Sequence, residues 1–275
     1  MRRPAPPLAA AAPGQRRRLL LAAAAHLPAA ALLAGGLPLA AFAALLALHA
    51  AWLWGTLRPN SPLFGPVRSR LPGTAGVWLT IDDGPSEDTL PMLAALAAAG
   101  ARATFFLVGE RARARPDLVA AIRAAGHDIG NHSHSHPAAR FWMLGPRRLR
   151  HEVAAAQAAL AAPDGTAPRH FRAVVGHANP FLAPVLAAAG LTRIGWSARG
   201  YDAVRADVDG VLERIGRDLR PGAIVLLHEG APHGRCVAVL EGVLAMLAAR
   251  GLPVEPPPGG EHAPTHPAPA GAAGR

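Results

Sequence analysis

Beyond residue 75 the chain repeats one pattern: a short apolar run, a polar break, then a stretch whose apolar residues recur at helical spacing. Apolar runs predict strands at Gly76–Ile81, Ala103–Val108, His127–Asn131, Phe171–Val175, Leu191–Trp196 and Ala223–His228. Helices are expected at Asp88–Ala99, Pro116–Ala125, Arg147–Ala161, Asn179–Ala189, Val208–Asp218 and Cys236–Ala249. Asp88 opens the first of these and Gly100 closes it; Gly126 closes the second. Regular β-α alternation argues for a parallel sheet covered by helices. Whether that sheet closes into a barrel is not visible in the periodicity.

The amino-terminal quarter reads differently. Residues 1–18, rich in Pro, Ala and Arg, are expected to be disordered, and 19–57 carry no Asp, Glu, Lys or Arg. As one helix, 19–57 would measure about 58 Å, roughly twice the hydrocarbon thickness of a bilayer. Gly35-Gly36-Leu37-Pro38 offers a turn, so two short helices, 19–34 and 38–55, fit better. Trp52 and Trp54 stand at the far end, where interfacial aromatics belong. The apolar stretch exceeds a cleavable signal core, which favours retention in a membrane. A linker, 58–75, leads into the domain at 76–254, and a Pro/Gly/Ala/His tail, 255–275, is expected to be disordered.

Charge sharpens this division. The formal charge is +10, but residues 1–70 hold eight Arg and no acid, whereas the remainder holds twenty Arg against eighteen acids. The excess therefore flanks the apolar segment and does not coat the domain, which removes nucleic acid as an expected partner. Basic residues on both flanks put both ends of a hairpin in the cytoplasm by the positive-inside tendency. The chain has no Lys, which excludes Schiff-base chemistry through lysine. Its single Cys236 cannot form an internal disulfide and reads as a buried thiol.

Two stretches carry the chemistry. Leu79-Thr80-Ile81-Asp82-Asp83-Gly84-Pro85 is an apolar run ending in two carboxylates and a turn, which places both carboxylates at a strand's carboxyl end. Asn131-His132-Ser133-His134-Ser135-His136-Pro137 follows some fifty residues later. One Asp and two His are a usual ligand set for a catalytic zinc, and a second Asp can then act as base on a water. Spacing of four brings His132 and His136 to one side of a helical turn; strand geometry would instead align His132, His134 and His136.

Thr80 to Pro85 and the pair His132/His136 resemble two motifs of the polysaccharide deacetylases, the NodB-homology carbohydrate esterases. The resemblance runs from about Trp78 to Val254 and implies a distorted (β/α) barrel, here preceded by a transmembrane hairpin. It implies Asp82 as base, and one divalent metal, zinc by preference, on Asp83, His132 and His136, with His134 a bystander. Phe171-Arg172-Ala173-Val174-Val175-Gly176 is similar to a third motif that has prolines where Ala173 and Val174 stand; Arg172 would orient Asp82. Gly195-Trp196-Ser197-Ala198-Arg199-Gly200-Tyr201-Asp202 is similar to a fourth, with Arg199 in place of an Asp and Ala203 in place of a Trp. There Asp202 would tune a general acid, His228, which ends Ile224-Val225-Leu226-Leu227-His228; Trp196 reads as core before substrate contact. His177 matches no role. The implied reaction is removal of N-acetyl groups from an amino-sugar glycan, of chitooligosaccharide or peptidoglycan type, which would place the domain outside the cytoplasm, against the charge rule. The altered third and fourth motifs also fit a membrane-anchored glycan-binding protein that keeps the metal and has lost catalysis. A His-rich metal-handling protein would leave Asp82, Arg172 and His228 without a purpose.

Overall fold

The computed structural model describes residues 20–21 and 23–255; the expectations for 1–18 and for the tail after 255 lie outside the described residues. Two helices come first, α1 (Leu27–Ala34) and α2 (Pro38–Leu57), folded back on each other through Gly35 and Gly36. Gly36 takes a φ of 75°, a left-handed turn position that glycine reaches without a Cβ penalty. The His26 ring meets His49 and Trp52 across the hairpin. The chain turns again at Ala25–His26, so α1 has only 8 residues; among the described residues only α2, of 20 residues, is long and apolar enough to cross a membrane.

The domain alternates strands and helices: β1 (Trp78–Gly84), α3 (Thr89–Ala98), β2 (Ala103–Leu107), α4 (Gly109–Ala114), α5 (Pro116–Ala124), β3 (Asp128–Asn131), α6 (Pro146–Leu160), β4 (His170–Phe171), α7 (Leu182–Ala188), β5 (Thr192–Arg193), β6 (Ala198–Arg199), α8 (Val208–Asp218), β7 (Ile224–His228) and α9 (Cys236–Ala249). The seven strands form one parallel sheet in the order β5-β4-β3-β2-β1-β7-β6. The sheet curls into a distorted (β/α) half-barrel. Among the described residues β5 and β6 share no ladder; Arg68 bridges Ile194 and Arg70 bridges Ala223, so the segment 68–71 lies at the gap. Residues 58–75 are thus bonded to the domain at several points.

The pleat sorts the side chains of β1. Leu79 and Ile81 face outward into the main core, with Phe105, Leu107, Val225 and Leu227 of the neighbouring strands and with α3, α8 and α9. Trp78 faces the lumen with Leu71, Phe106, Ile194 and Ile224. Thr80 and Asp82 share Trp78's parity and continue up the same inner face. A third cluster, including Phe64, Phe141, Phe171, Val174 and Leu182, underlies the β4 side and takes in Trp52 of α2.

Two expected strands are much shorter than their apolar runs. Phe171–Val175 contributes only β4 before a 3₁₀ turn at Val174–Gly176, and Leu191–Trp196 contributes only β5. Here the chain leaves the ladder to line the lumen, so hydrophobicity reports burial and not pairing. β6 and α4 were not anticipated: one is two residues long, and the other is an Arg-rich turn of helix without an apolar stripe.

Candidate active site

The site lies along the carboxyl edge of the sheet. Register puts Asp82 beside His228 of β7 on one side and Phe106 of β2 on the other, and sets Asn131 beside Leu107 and Phe171. His132 and Arg172 follow Asn131 and Phe171 directly. Asp82 and His228 thereby share one row, with Asp83, His132 and Arg172 one residue past it; His136 and Asp202 come in from the loops after β3 and β6.

Asp82 and Asp83 diverge by more than the pleat alone would give. Asp83 has a φ of 72°, and the β1–β2 register slips between Asp82 and Gly84. Asp83 Oδ1 therefore lies 3.2 Å from His132 Nε2 and 3.0 Å from His136 Nε2. Its backbone carbonyl accepts from Arg111 Nη1. Burial alone would raise its pKa, but hydrogen bonds and charge from the two imidazoles outweigh that and hold it far below the ordinary carboxylate value.

The imidazoles come from a loop, and neither the helical turn nor the strand considered from sequence is formed. Ser133 and His136 take φ values of 66° and 48°, in the left-handed region. The loop is pinned from α6: Glu152 is fully buried and accepts from His134 N at 3.0 Å, Ser135 N at 2.8 Å and Ser135 Oγ at 2.8 Å. Asn131 Oδ1 accepts from Ser133 N at 2.9 Å, and His136 N donates to Ser133 Oγ at 3.2 Å. Glu152 was not marked in the sequence; its only signal was an acid on the apolar face of an amphipathic helix. His134 points elsewhere, toward His151 and within 4.0 Å of Glu110.

The donor set suits a divalent metal. Asp83, His132 and His136 present ligand atoms all within 4.8 Å of one another. Ligands about 2.0–2.1 Å from a tetrahedral zinc lie roughly 3.3 Å apart, close to the separations seen. A carbonyl can only accept, so His132 Nδ1–H donates to Arg172 O at 2.9 Å, which makes Nε2 the atom that would ligate a metal on losing the proton it shares with Asp83. This is the usual outer arrangement for a metal-binding imidazole.

Arg172 is fully buried and reaches Asp82 Oδ1 (2.8 Å), Thr80 Oγ1 (2.7 Å) and Gly195 O (2.8 Å). Its guanidinium stacks on Phe106, 4.3 Å from the ring centroid. Burial pulls its pKa down and Asp82 opposes this. A three-way clasp of this kind fixes one carboxylate rotamer. Trp196 stands behind it, only 7 % exposed, with the Arg172 and Arg199 guanidiniums 5.9 and 5.5 Å from its ring. So buried a ring offers little surface to a ligand and packs as core.

Across the row, His228 Nδ1–H donates to Asp202 Oδ1 at 3.0 Å, and its backbone N–H donates to Oδ2 at 2.6 Å. Burial disfavours the charged ring, but Asp202, with Asp82 and Asp83 beyond it, prevails and holds the pKa up at about 9. His228 therefore keeps a proton on Nε2 at neutral pH. The next residue, Glu229, is also buried and accepts from Ser86 Oγ at 2.8 Å and from Thr89 Oγ1, tying β7 to the turn after β1. It carried no sequence signal. His177 lies outside the group, and Cys236 is buried, its thiol pushed up to about 12 by burial.

A half-barrel whose strand ends gather two carboxylates, two imidazoles, a buried arginine and an Asp-paired histidine is a hydrolase scaffold. The family model for polysaccharide deacetylases matches residues 72–194. A chitooligosaccharide deacetylase of Bradyrhizobium sp. (strain ANU 289) is 34% identical over 214 residues, covering 72% of this chain and 96% of that one. A peptidoglycan-N-acetylglucosamine deacetylase of Bacillus cereus is 29% identical over 181 residues, covering 64% of this chain and 65% of that one. The family 4 carbohydrate esterase of Streptomyces lividans, solved with acetate, superposes with a TM-score of 0.60 at 34% identity, covering 66% of this chain and 91% of that one. The chain belongs to the polysaccharide deacetylase family, the carbohydrate esterases of NodB homology.

Proposed function

We propose that the protein is a metal-dependent deacetylase that removes N-acetyl groups from amino sugars of a chitooligosaccharide or peptidoglycan type of glycan. The observation that carries this is one edge of the sheet holding a clasped carboxylate, a three-donor metal set and a histidine paired with a buried Asp. Asp83, His132 and His136 would hold one divalent metal, zinc by ligand type. That metal supplies a Lewis acid for the amide carbonyl and eases deprotonation of a water.

The rest is the chain's own work. Asp82, its rotamer fixed by Arg172, takes the proton of the attacking water. Its second oxygen, Oδ2, is 3.8 Å from His132 Nε2, close enough to share the water with the metal set without joining it. His228 gives the proton on Nε2 to the departing amine nitrogen, and Asp202 stabilises the imidazolium before transfer and orients the ring. The products are acetate and a free amino sugar. Retention in a membrane through 19–57, with α2 as the spanning helix, completes the reading; its support is the length and apolar surface of α2.

Acetate release from N-acetylglucosamine oligomers, with and without added zinc, tests the proposal beside Asp82→Asn. The wild type is expected to turn over only with metal. The variant should bind metal equally and lose about 10²–10⁴-fold in kcat, the usual contribution of a general base. A variant of undiminished rate would remove Asp82 from the mechanism.

A further inference from the structure

The connector between α2 and the domain has almost no slack. Ala178 N–H donates to Thr56 O at 3.3 Å, within the last turn of α2. Asn60 then grips Trp196 twice: its Nδ2 donates to Trp196 O at 2.7 Å, and its Oδ1 accepts from Trp196 N at 3.3 Å. Pro59 packs so closely on Gly176 that a Cβ there would lie 2.9 Å from it, and Arg193 Nη1 donates to Ser61 O at 3.2 Å. Two residues, Arg58 and Pro59, thus separate the end of the apolar helix from the Gly195–Trp196 segment that holds Arg172. A flexible linker of 18 residues would let the domain wander over about 20–25 Å. This one does not.

The exposed apolar residues of the domain also follow a pattern. Among the described residues of the domain, the exposed large apolar side chains are Leu90, Met143, Val175, Tyr201 and Val204. All follow the carboxyl ends of strands, β1, β3, β4 and β6, the edge that carries the site. Exposed Arg140 and Arg205 are interspersed with them on the same loops. Apolar side chains mixed with arginine match the interface of a bilayer, where the guanidinium meets phosphate and the apolar groups enter the acyl boundary.

Resting on the deacetylase reading and on retention through α2, we propose that the substrate is an N-acetylated amino sugar carried on a membrane lipid through a phosphate linkage. The site, fixed to the helix end, takes it from the bilayer that holds α2. A soluble oligosaccharide fills the same catalytic row but gains nothing from the rim, and a distant polymer lies out of reach. Confinement to the same surface raises the effective concentration of the lipid-borne sugar.

The test uses the full chain, metal-loaded, in liposomes. Initial acetate release is compared, at equal bulk concentration below saturation, for N-acetylglucosamine joined through pyrophosphate to a polyprenol and for soluble chitotetraose. A second protein carries fifteen Gly/Ser residues between Leu57 and Arg58 together with Trp52→Ala, which frees α2 from the domain and leaves the Asn60 contacts in place. The lipid-borne sugar should react at least tenfold faster, and the insertion should erase most of that advantage while the tetramer rate stays constant. Equal rates, or an advantage untouched by the insertion, overturn the inference while leaving the deacetylase reading intact. Acetate from neither substrate overturns the deacetylase reading and the inference with it; failure of the chain to float with the vesicles overturns the membrane reading.

Discussion

Replacing Asp202 by Asn separates tuning from orientation at His228, the proposed general acid. Asn keeps an oxygen for the His228 Nδ1–H bond and removes the charge that outweighs the cost of burial. With the folded value at about 9, about nine-tenths of His228 is protonated at pH 8. If the variant falls to the ordinary histidine value of about 6.5, only about 3% remains protonated there, a loss of about 30-fold. At pH 6 the same shift costs less than about twofold. The alkaline limb of the kcat profile should therefore move down by up to about 2.5 units, with the acid limb unchanged. Stability follows the same sign. A raised histidine pKa stabilises the fold fully below about pH 6.5 and loses that contribution as pH climbs through about 9, an effect on the order of 3 kcal/mol at most. Wild-type unfolding should weaken across that window more than the variant's. Chitooligosaccharide turnover from pH 5 to 10, with urea unfolding at the same points, provides both readouts. A rate loss equal at every pH, or an alkaline limb that stays in place, would refute the assignment of His228 as an acid tuned by Asp202.

His132→Ala should abolish stoichiometric metal binding, whereas His134→Ala should leave it intact; metal analysis after dialysis distinguishes them. Glu152→Ala removes the acceptor for two backbone N–H groups and one hydroxyl, and each buried orphan costs about 1–3 kcal/mol. Metal affinity should fall about 10–100-fold as the loop loosens, measured by chelator competition. Asn60→Gly keeps the left-handed backbone and loses both bonds to Trp196. It should lower kcat several-fold with little change in KM, and it should be non-additive with Arg172→Lys if it acts through that side chain.

The order of strands and helices was legible because each apolar run ended in a turn former. α8 and α9 begin and end where the pattern sets them. β1 was read to Ile81, since Asp is poor strand material, yet pairing with Phe106 and His228 carries it through the carboxylates. The two dense motifs announced themselves by residue type. Their geometry did not: the left-handed backbone at Asp83, Ser133 and His136 falls on residues other than glycine and is imposed by partners such as Glu152, some eighteen positions away. Such long-range hydrogen bonds leave no local trace. The 58–75 segment looked like a linker for the same reason, because its bonds reach residues 193, 195, 196 and 222.

Those bonds decide where the chain can be divided. Leu71 N–H donates to Gly222 O and its side chain closes the floor of the lumen; Arg68 stands at the gap between the edge strands. A fragment starting at the first residue of β1 would lack that floor, that stave and the Asn60 grip. The natural seam for a cut, a fusion or a domain exchange therefore lies at the end of α2, before Arg58, and not where the low-complexity composition ends.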